Sequence, residues 1–565
     1  MVGFSLSSEV RISIYQLFVR HFSNFNSERV YDGTIEQNGC GKFNDITAKA
    51  LAEISAMGHS HVWLTGVLEQ ISATAYPGIP ADQDVLLKGR AGSPYAIRDY
   101  FDVSADYASN PEHRLEEFSD LLERCREAGL SAVIDFVPNH VARSYHSDVK
   151  PEFNFGENDD TGKFFGWDNN YYYLTDKGSM ELPDGPYKGE VFGRVTGNNA
   201  ATWQPSGSDW YETVKLNYGH DYTKGRDTSD LPSEDAELED VPDTWVKMDA
   251  VLAYWQDMGV SGFRCDMAHM VPMQFWAWAI RRAQFRDPSC YFVGEAYDGD
   301  PAKLTLDNVL EALIESGFDS VYDGESYELV KSVIEQDRAA TALDELLWSP
   351  ARLDHMLRYA ENHDEVRLCS RHHWNGEGSV LGRAVTAFLS GVGKGPFMVY
   401  NGQEVGESGD GAEGFAQDDG RNSIFDYGHL PALRKWTNSG CYDGGLLNED
   451  QSSLRDWFVE WGNLLLEPAF QNGGVYGLNS VNLKNPTFRA EGMEIGHHVY
   501  AFMRHDKASD EAFLVVLNFH PEVMVANLEL TIPAGASDWC SSQLAPRVLV
   551  GDIEPGGVSV IALQL

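Results

Sequence analysis

DTWVKMDAVLAYWQDMGVSGFRCD (243–266) carries a helical pattern from Asp243 to Gly259 and then, at once, the short strand SGFRCD, which ends in a carboxylate. Working outward, the same alternation recurs. RISIYQLF (11–18), HVWLT (61–65) and SAVIDF (131–136) precede it, and YFVGE (291–295), FDSVYD (318–323), MLRYAEN (356–362) and PFMVYN (396–401) follow. Helical patterns lie between these runs. One has Leu115, Phe118, Leu122 and Cys125 on one face, with Asn110 as cap, Pro111 in the first turn and Gly129 past the end. Eight strands alternating with helices predict a parallel (β/α)8 TIM barrel, with a doubly wound open sheet as the rival topology.

About 100 residues between the third strand and the helix before the fourth break the rhythm. They are rich in Gly, Asp, Asn and aromatic residues. A structureless loop of that length is improbable in a compact domain, so an inserted subdomain is expected over 141–222. Beyond 472, HHVYAFMRHD, AFLVVLNFH, ANLELTIP and VSVIALQL read as short strands of a terminal β-sandwich. The expected division is therefore barrel 1–140, insertion 141–222, barrel 223–472 and all-β domain 473–565. Within the insertion, Trp167, Tyr171, Tyr172, Tyr173, Trp203 and Trp210 form either its own small core or, for one or two such as Trp203 and Trp167, stacking surfaces for a ring-shaped ligand.

The chain has 565 residues, with 43 Lys and Arg against 86 Asp and Glu, a net charge of −43. Such a field repels nucleic acid and anionic membranes, so neither is expected as a partner, and a neutral ligand suits it. The seven cysteines (Cys40, Cys125, Cys265, Cys290, Cys369, Cys441, Cys540) are scattered without a CxxC pair, which signals neither zinc nor a redox motif. MVGFSLSSEVRISIYQLF lacks the basic and apolar regions of a secretory signal, and a cytoplasmic enzyme is the expectation.

Polar groups gather at strand ends: Asp135, Asn139 and His140 after the third, Arg264 and Asp266 on the fourth, Glu295 on the fifth, and Asn362, His363 and Asp364 on the seventh. Residues two apart on a strand face the same way, so Arg264 and Asp266 project together. At a barrel's C-terminal mouth all would converge. Glycosidic cleavage needs such a set: one carboxylate to attack the anomeric carbon, one carboxylic acid to protonate the leaving oxygen, and a further anion for the positive transition state. Arg264 would keep Asp266 ionised, and anionic crowding would hold a proton on Glu295.

DFVPNH (135–140), GFRCDMAHM (262–270), VGEAY (293–297) and ENHDE (361–365) resemble, in order and placement, the four sequence regions of the α-amylase family of glycoside hydrolases. GKGPFMVYNGQE (393–404) is similar to the family's eighth-strand segment, GSPYAIRDY (92–100) to its loop after the second strand, and KLNYG (215–219), more weakly, to a motif near the end of its inserted domain. The resemblance implies Asp266 as nucleophile, Glu295 as acid/base and Asp364 as transition-state stabiliser. It implies Arg264 as the residue orienting the nucleophile, His140 and His363 as hydrogen-bond partners of the sugar, Tyr95 as its platform, and Asp135 and Asn139 as support. His269 and Met270 stand where many amylases carry Lys-His. No cofactor or metal is expected. Asn139 is one candidate oxygen for a structural calcium, but no full ligand set assembles, and NFNSERVYDG (24–33) lacks the Asp spacing of a calcium loop.

The expected activity is retaining hydrolysis of α-glucosidic bonds, chiefly α-1,4, in malto-oligosaccharides or related α-glucans. A transglycosylase or sugar phosphorylase of the same fold is the alternative. A catalytically inactive binding subunit is more remote, because all three carboxylates are present. Oligomeric state stays open.

Overall fold

The computed structural model describes residues 11–348, 353–411, 414, 415 and 417–565. Residues 1–10 of the expected first barrel segment lie outside them. The eight expected strands form a closed parallel barrel: β1 (Ser13–Phe18), β2 (His61–Thr65), β3 (Ser131–Phe136), β4 (Gly262–Cys265), β5 (Tyr291–Gly294), β6 (Ser320–Tyr322), β7 (Met356–Tyr359) and β8 (Phe397–Tyr400). They pair in chain order, and β1 closes on β8 with Ser13 opposite Phe397. Closure excludes the open sheet. Helices cover the outer face and side chains fill the lumen, so the strands are near-continuous apolar runs rather than alternating ones.

Register sets the lumen's polar layer. Asp135 on β3 lies opposite Arg264 on β4, and Arg264 opposite Val293 on β5. Partners in register point to the same side, so Asp135 and Arg264 share the interior, with Asp266 and Glu295 one pleat further toward the C-terminal mouth. The helix leading into β4 spans Asp243–Met258, and Gly259 ends it at φ 103°, a left-handed position that glycine takes without a Cβ penalty. It packs on the next helix, Met273–Arg286, with Trp245 and Trp278 ring centroids 5.5 Å apart.

The chain leaves the barrel after β3 and builds short antiparallel pairs: His140–Ala142 with Thr213–Lys215, and Glu181–Leu182 with Gly185–Pro186. Tyr171, Tyr172 and Tyr173 are buried there, the core role their clustering allowed.

The C-terminal part has a four-stranded antiparallel sheet of β9 (Gly474–Gly477), β10 (Val499–Asp506), β11 (Glu511–Asn518) and β14 (Val558–Leu563). A two-stranded sheet of β12 (Val525–Thr531) and β13 (Arg547–Ile553) packs with it. Alternate residues of β10 serve two cores. Val499, Ala501 and Met503 face the small core, while Tyr500 and Phe502 face the barrel, Tyr500 edge-on to Phe388 at 5.1 Å. Both faces of β10 are covered, which explains the unbroken apolar run Val499–Met503 in its first five residues. The sequence pattern did not reveal β9, β13 or the helix Ala534–Cys540 in this all-β region. β9 has only two apolar residues between its end glycines, and exposed Leu549 blurs the alternation of β13.

Candidate active site

Arg264 organises the mouth. Its guanidinium is buried in the barrel, with Nη1 2.7 Å from Asp266 Oδ1 and Nη2 2.7 Å from Glu295 Oε2. Nη1 also lies 3.5 Å from Asp135 Oδ1, and Nε donates to the Tyr322 hydroxyl at 3.2 Å. The rings of Trp63 and Tyr95 sit 5.2 and 5.3 Å from its central carbon. A planar fork with five donors suits this bridging task, which a lysine ammonium would not fill.

The fork takes one oxygen of Asp266, and Oδ2 is buried with no hydrogen-bond partner among the described residues. Glu295 is held at both oxygens: the Met267 N–H donates to Oε2 at 3.0 Å and the Tyr297 hydroxyl to Oε1 at 3.1 Å. Met267 reaches that position in the left-handed region, at φ 46°. Asp135 lies deeper. Its Oδ2 accepts from the Gly66 N–H at 2.7 Å and the Trp63 indole at 3.2 Å. Gly66 has φ 65°, and an added Cβ would come within 2.8 Å of Pro94.

The two histidines are prepared alike. The Gln16 amide donates to His363 Nδ1 at 2.8 Å, and the Asn139 amide donates to His140 Nδ1 at 3.1 Å. Each neutral imidazole therefore carries its proton on Nε2. His363 Nε2 meets the Tyr95 hydroxyl and lies 3.1 Å from Asp364 Oδ2. The Tyr95 ring stacks on His363 at 5.4 Å. Burial holds His140 down to about 3, and burial with the Arg264 charge holds His363 well below the usual histidine range.

The carboxyl groups move the other way. Burial pushes Asp266 well up against the opposing pull of Arg264, with the Glu295 charge adding to the rise. Burial and the Glu295 charge push Asp364 up to about 7, and burial raises Asp135 to about 6. Asp135, Asp266 and Asp364 are thus all pushed up by burial against the opposing pull of the one Arg264 charge.

A cavity of about 250 Å³ opens over this cluster, lined by Tyr95, His140, Asp266, Glu295 and Asp364. A larger groove of about 870 Å³ lies elsewhere, between the 234–237 loop and the helix Met273–Arg286, away from these groups. Of the expected residues, Arg264, His363, Asp135 and Asn139 stand behind the cavity rather than in its lining. Trp203 and Trp167 are absent from that lining: the Trp203 indole donates to Asp176, and Trp167 sits by Gly219. Trp210, Glu212 and Thr213 are the insertion's contribution to the wall, with the Trp210 ring 5.2 Å from that of His140.

Sequence reasoning missed Gln16, Trp63, Tyr297 and Tyr322, each of which binds a site residue from a neighbouring strand or loop. It also missed Lys88 and Glu212, paired at 2.9 Å on the cavity wall. Strand-end position was available for Tyr322 and a place within β1 for Gln16, but neither type signals chemistry alone. Asn139 does not fit a calcium ligand set: its Oδ1 accepts from the buried Lys215 ammonium at 2.7 Å, and its amide donates to Gly197 O at 2.9 Å. A calcium ion there would have to displace the Lys215 Nζ, whose pKa burial lowers to about 7, from the one side-chain oxygen that Asn139 offers.

The family model for the alpha amylase catalytic domain matches residues 16–435, and that for the alpha amylase C-terminal all-beta domain matches 491–543. The chain belongs to the alpha-amylase family. It is 24% identical over 404 residues to Alpha-amylase MalA of Haloarcula japonica, covering 70% of this chain and 44% of that protein. It is 27% identical over 252 residues to Maltase 1 of Drosophila virilis, covering 45% and 30%. The chain thus matches less than half the length of either relative. In fold it is similar to a cyclic alpha-maltosyl-(1→6)-maltose hydrolase from Arthrobacter globiformis, with TM-score 0.61 and 18% identity over 98% of both chains. Among the described residues, no helix is long and apolar enough to cross a membrane.

Proposed function

We propose that this chain is a retaining glycoside hydrolase acting on α-1,4-glucosidic bonds of malto-oligosaccharides. The observation that carries the reading is the single guanidinium of Arg264 joining Asp266 and Glu295 at the floor of the cavity that Asp364 also lines. Two carboxylates tied to one fork suit a retaining pair, which stands closer together than an inverting pair with a water between. Asp266 attacks the anomeric carbon through Oδ2, the oxygen that the fork leaves free. Glu295 gives its proton to the leaving glycosidic oxygen, and a covalent glycosyl-enzyme forms. Glu295 then takes a proton from water, which attacks the same carbon and releases Asp266. Asp364 stabilises the positive charge that develops on the ring in the transition state of each step. Nε2–H of His140 donates to a sugar hydroxyl, Tyr95 underlies the ring, and His363 holds the Tyr95 hydroxyl and Asp364 from behind the cavity.

A cytoplasmic setting accords with the cysteines, all seven of which are free. The test is product analysis after incubation with maltose, longer maltodextrins, sucrose and trehalose, each with and without phosphate, with NMR of the first-formed anomer. Glucose or short maltodextrins released first as the α anomer support the proposal. Sugar phosphates, or mainly transfer products, would assign the same machinery to a phosphorylase or transglycosylase. An initial β product would remove Asp266 from its role as nucleophile.

A further inference from the structure

A second group of chemically able side chains lies outside the cavity, where the terminal β-domain meets the barrel's helical layer. His497 and His498 immediately precede β10, and Asp337 follows the helix Gly324–Glu335. His497 Nε2 is 2.8 Å from Asp337 Oδ1, and His498 Nε2 is 3.9 Å from the same oxygen. One ligating atom from each of the three residues falls within 4.8 Å of the others. Two ligands about 2.1 Å from a tetrahedral ion stand about 3.4 Å apart, so the two measured separations bracket the required one.

The backbone brings these groups together independently of any ion. The Ala340 N–H, three residues past Asp337, donates to His497 O at 2.6 Å. The Phe519 N–H donates to His498 O at 2.7 Å. Asp337 holds φ 51°, a left-handed conformation uncommon for a residue with a Cβ. Both imidazoles are four-fifths covered while the Asp337 side chain is 83% exposed, so the cluster is rigid on one side and open to solvent on the other. His520 walls it, with its ring 4.6 Å from that of His498. Its Nδ1 accepts from the Val523 and Glu522 N–H groups, so its Nε2 carries the proton and is a donor rather than a ligand.

We propose that Asp337, His497 and His498 form a binding site for one divalent transition-metal ion of the zinc type, linking the barrel to the terminal β-domain. Two imidazole nitrogens and one carboxylate oxygen suit zinc, cobalt or nickel, whereas calcium and magnesium require oxygen-dominated sets. Water completes the coordination on the exposed side. With three protein ligands, and with His498 Nδ1 lacking an acceptor among the described residues, the ion exchanges with solvent rather than being held permanently. It stabilises the folded chain by binding a pair of segments that the unfolded chain does not hold together.

The experiment titrates the metal-free full-length chain with Co²⁺, followed by visible absorption, and with Zn²⁺, followed by calorimetry. One saturable site is expected, with a thermal midpoint raised by excess Zn²⁺ and no change in turnover. Asp337→Asn alters an exposed side chain and leaves the fold intact, and it should weaken binding at least tenfold, as should His498→Ala. The second acid–histidine cluster, His372 with Asp410 and Asp418, and the exposed thiol of Cys441 serve as controls. No saturable binding up to millimolar metal overturns the proposal. So does full affinity in both Asp337→Asn and His498→Ala, or a loss confined to His372→Ala or Cys441→Ser.

Discussion

Arg264 Nη1 lies 2.7 Å from Asp266 Oδ1, and the two side chains stand two residues apart at the end of one strand. The proposed nucleophile is thus oriented by its own strand and not by a mobile loop. Arg264→Lys keeps the charge and loses the fork, and should lower kcat by roughly 10²–10³-fold. The Arg264 charge pulls the Asp266 carboxyl down, so Arg264→Gln, which removes that charge, shifts the acid limb of the kcat/KM profile toward higher pH. An unchanged limb would separate the limb from Asp266.

Asp266→Asn should reduce turnover on the order of 10⁴-fold or more. Ionising a buried carboxyl whose pKa is raised opposes folding, so removing it should not lower the thermal midpoint at neutral pH. Circular dichroism melting beside the assay checks both. A midpoint drop of several degrees would mean that the lost activity reflects misfolding.

Glu295→Gln removes the proposed proton donor. Turnover of maltose should fall about 10²–10⁴-fold, with a far smaller loss for an aryl α-glucoside whose leaving group needs no proton. Equal losses on the two substrates would assign Glu295 another task.

Trp210 lines the cavity and Trp203 does not. Trp210→Ala should raise KM several-fold with a smaller change in kcat, the pattern of a lost stacking surface worth about 1 kcal/mol. Trp203→Ala should leave KM alone and lower the melting temperature, since its ring packs within the insertion against Gly178 and Gly193. The reverse result would place the sugar path on the other side of the insertion.

Asp135 at about 6 and Asp364 at about 7 both lie above their unfolded values near 4. Between about pH 4 and 7 the native chain therefore holds more protons than the unfolded one, and their contribution to stability falls as pH rises through that window. Asp364→Asn should melt higher than the parent, by a margin growing from pH 4 to pH 8. Asp364 is 35% exposed, so solvent screening keeps the gain to a degree or two. A margin independent of pH would refute this.

The sequence revealed the strands, their alternation with helices and the carboxyl groups at their ends, because a buried parallel strand is a short apolar run and an ionisable residue ending it stands out. It did not reveal what holds those groups. Gln16 matters because β1 and β7 bring its amide to His363, and Tyr322 because β6 brings its hydroxyl to Arg264. Those are properties of barrel closure and carry no local pattern. The insertion was visible only as an interruption: Trp203 and Trp210 are alike in composition of surroundings, and only tertiary packing sends one to Asp176 and the other beside His140.

The divided loyalty of β10 reaches beyond packing. Its even-numbered Tyr500 and Phe502 complete the barrel's apolar layer, while its odd-numbered neighbours hold the terminal sheets together. One strand cannot melt on one side only. Calorimetry should therefore record a single endotherm for the whole chain, and a truncation before residue 473 should leave the helix Gly378–Gly391 with a bare, adhesive flank and yield aggregates rather than a lean catalytic core.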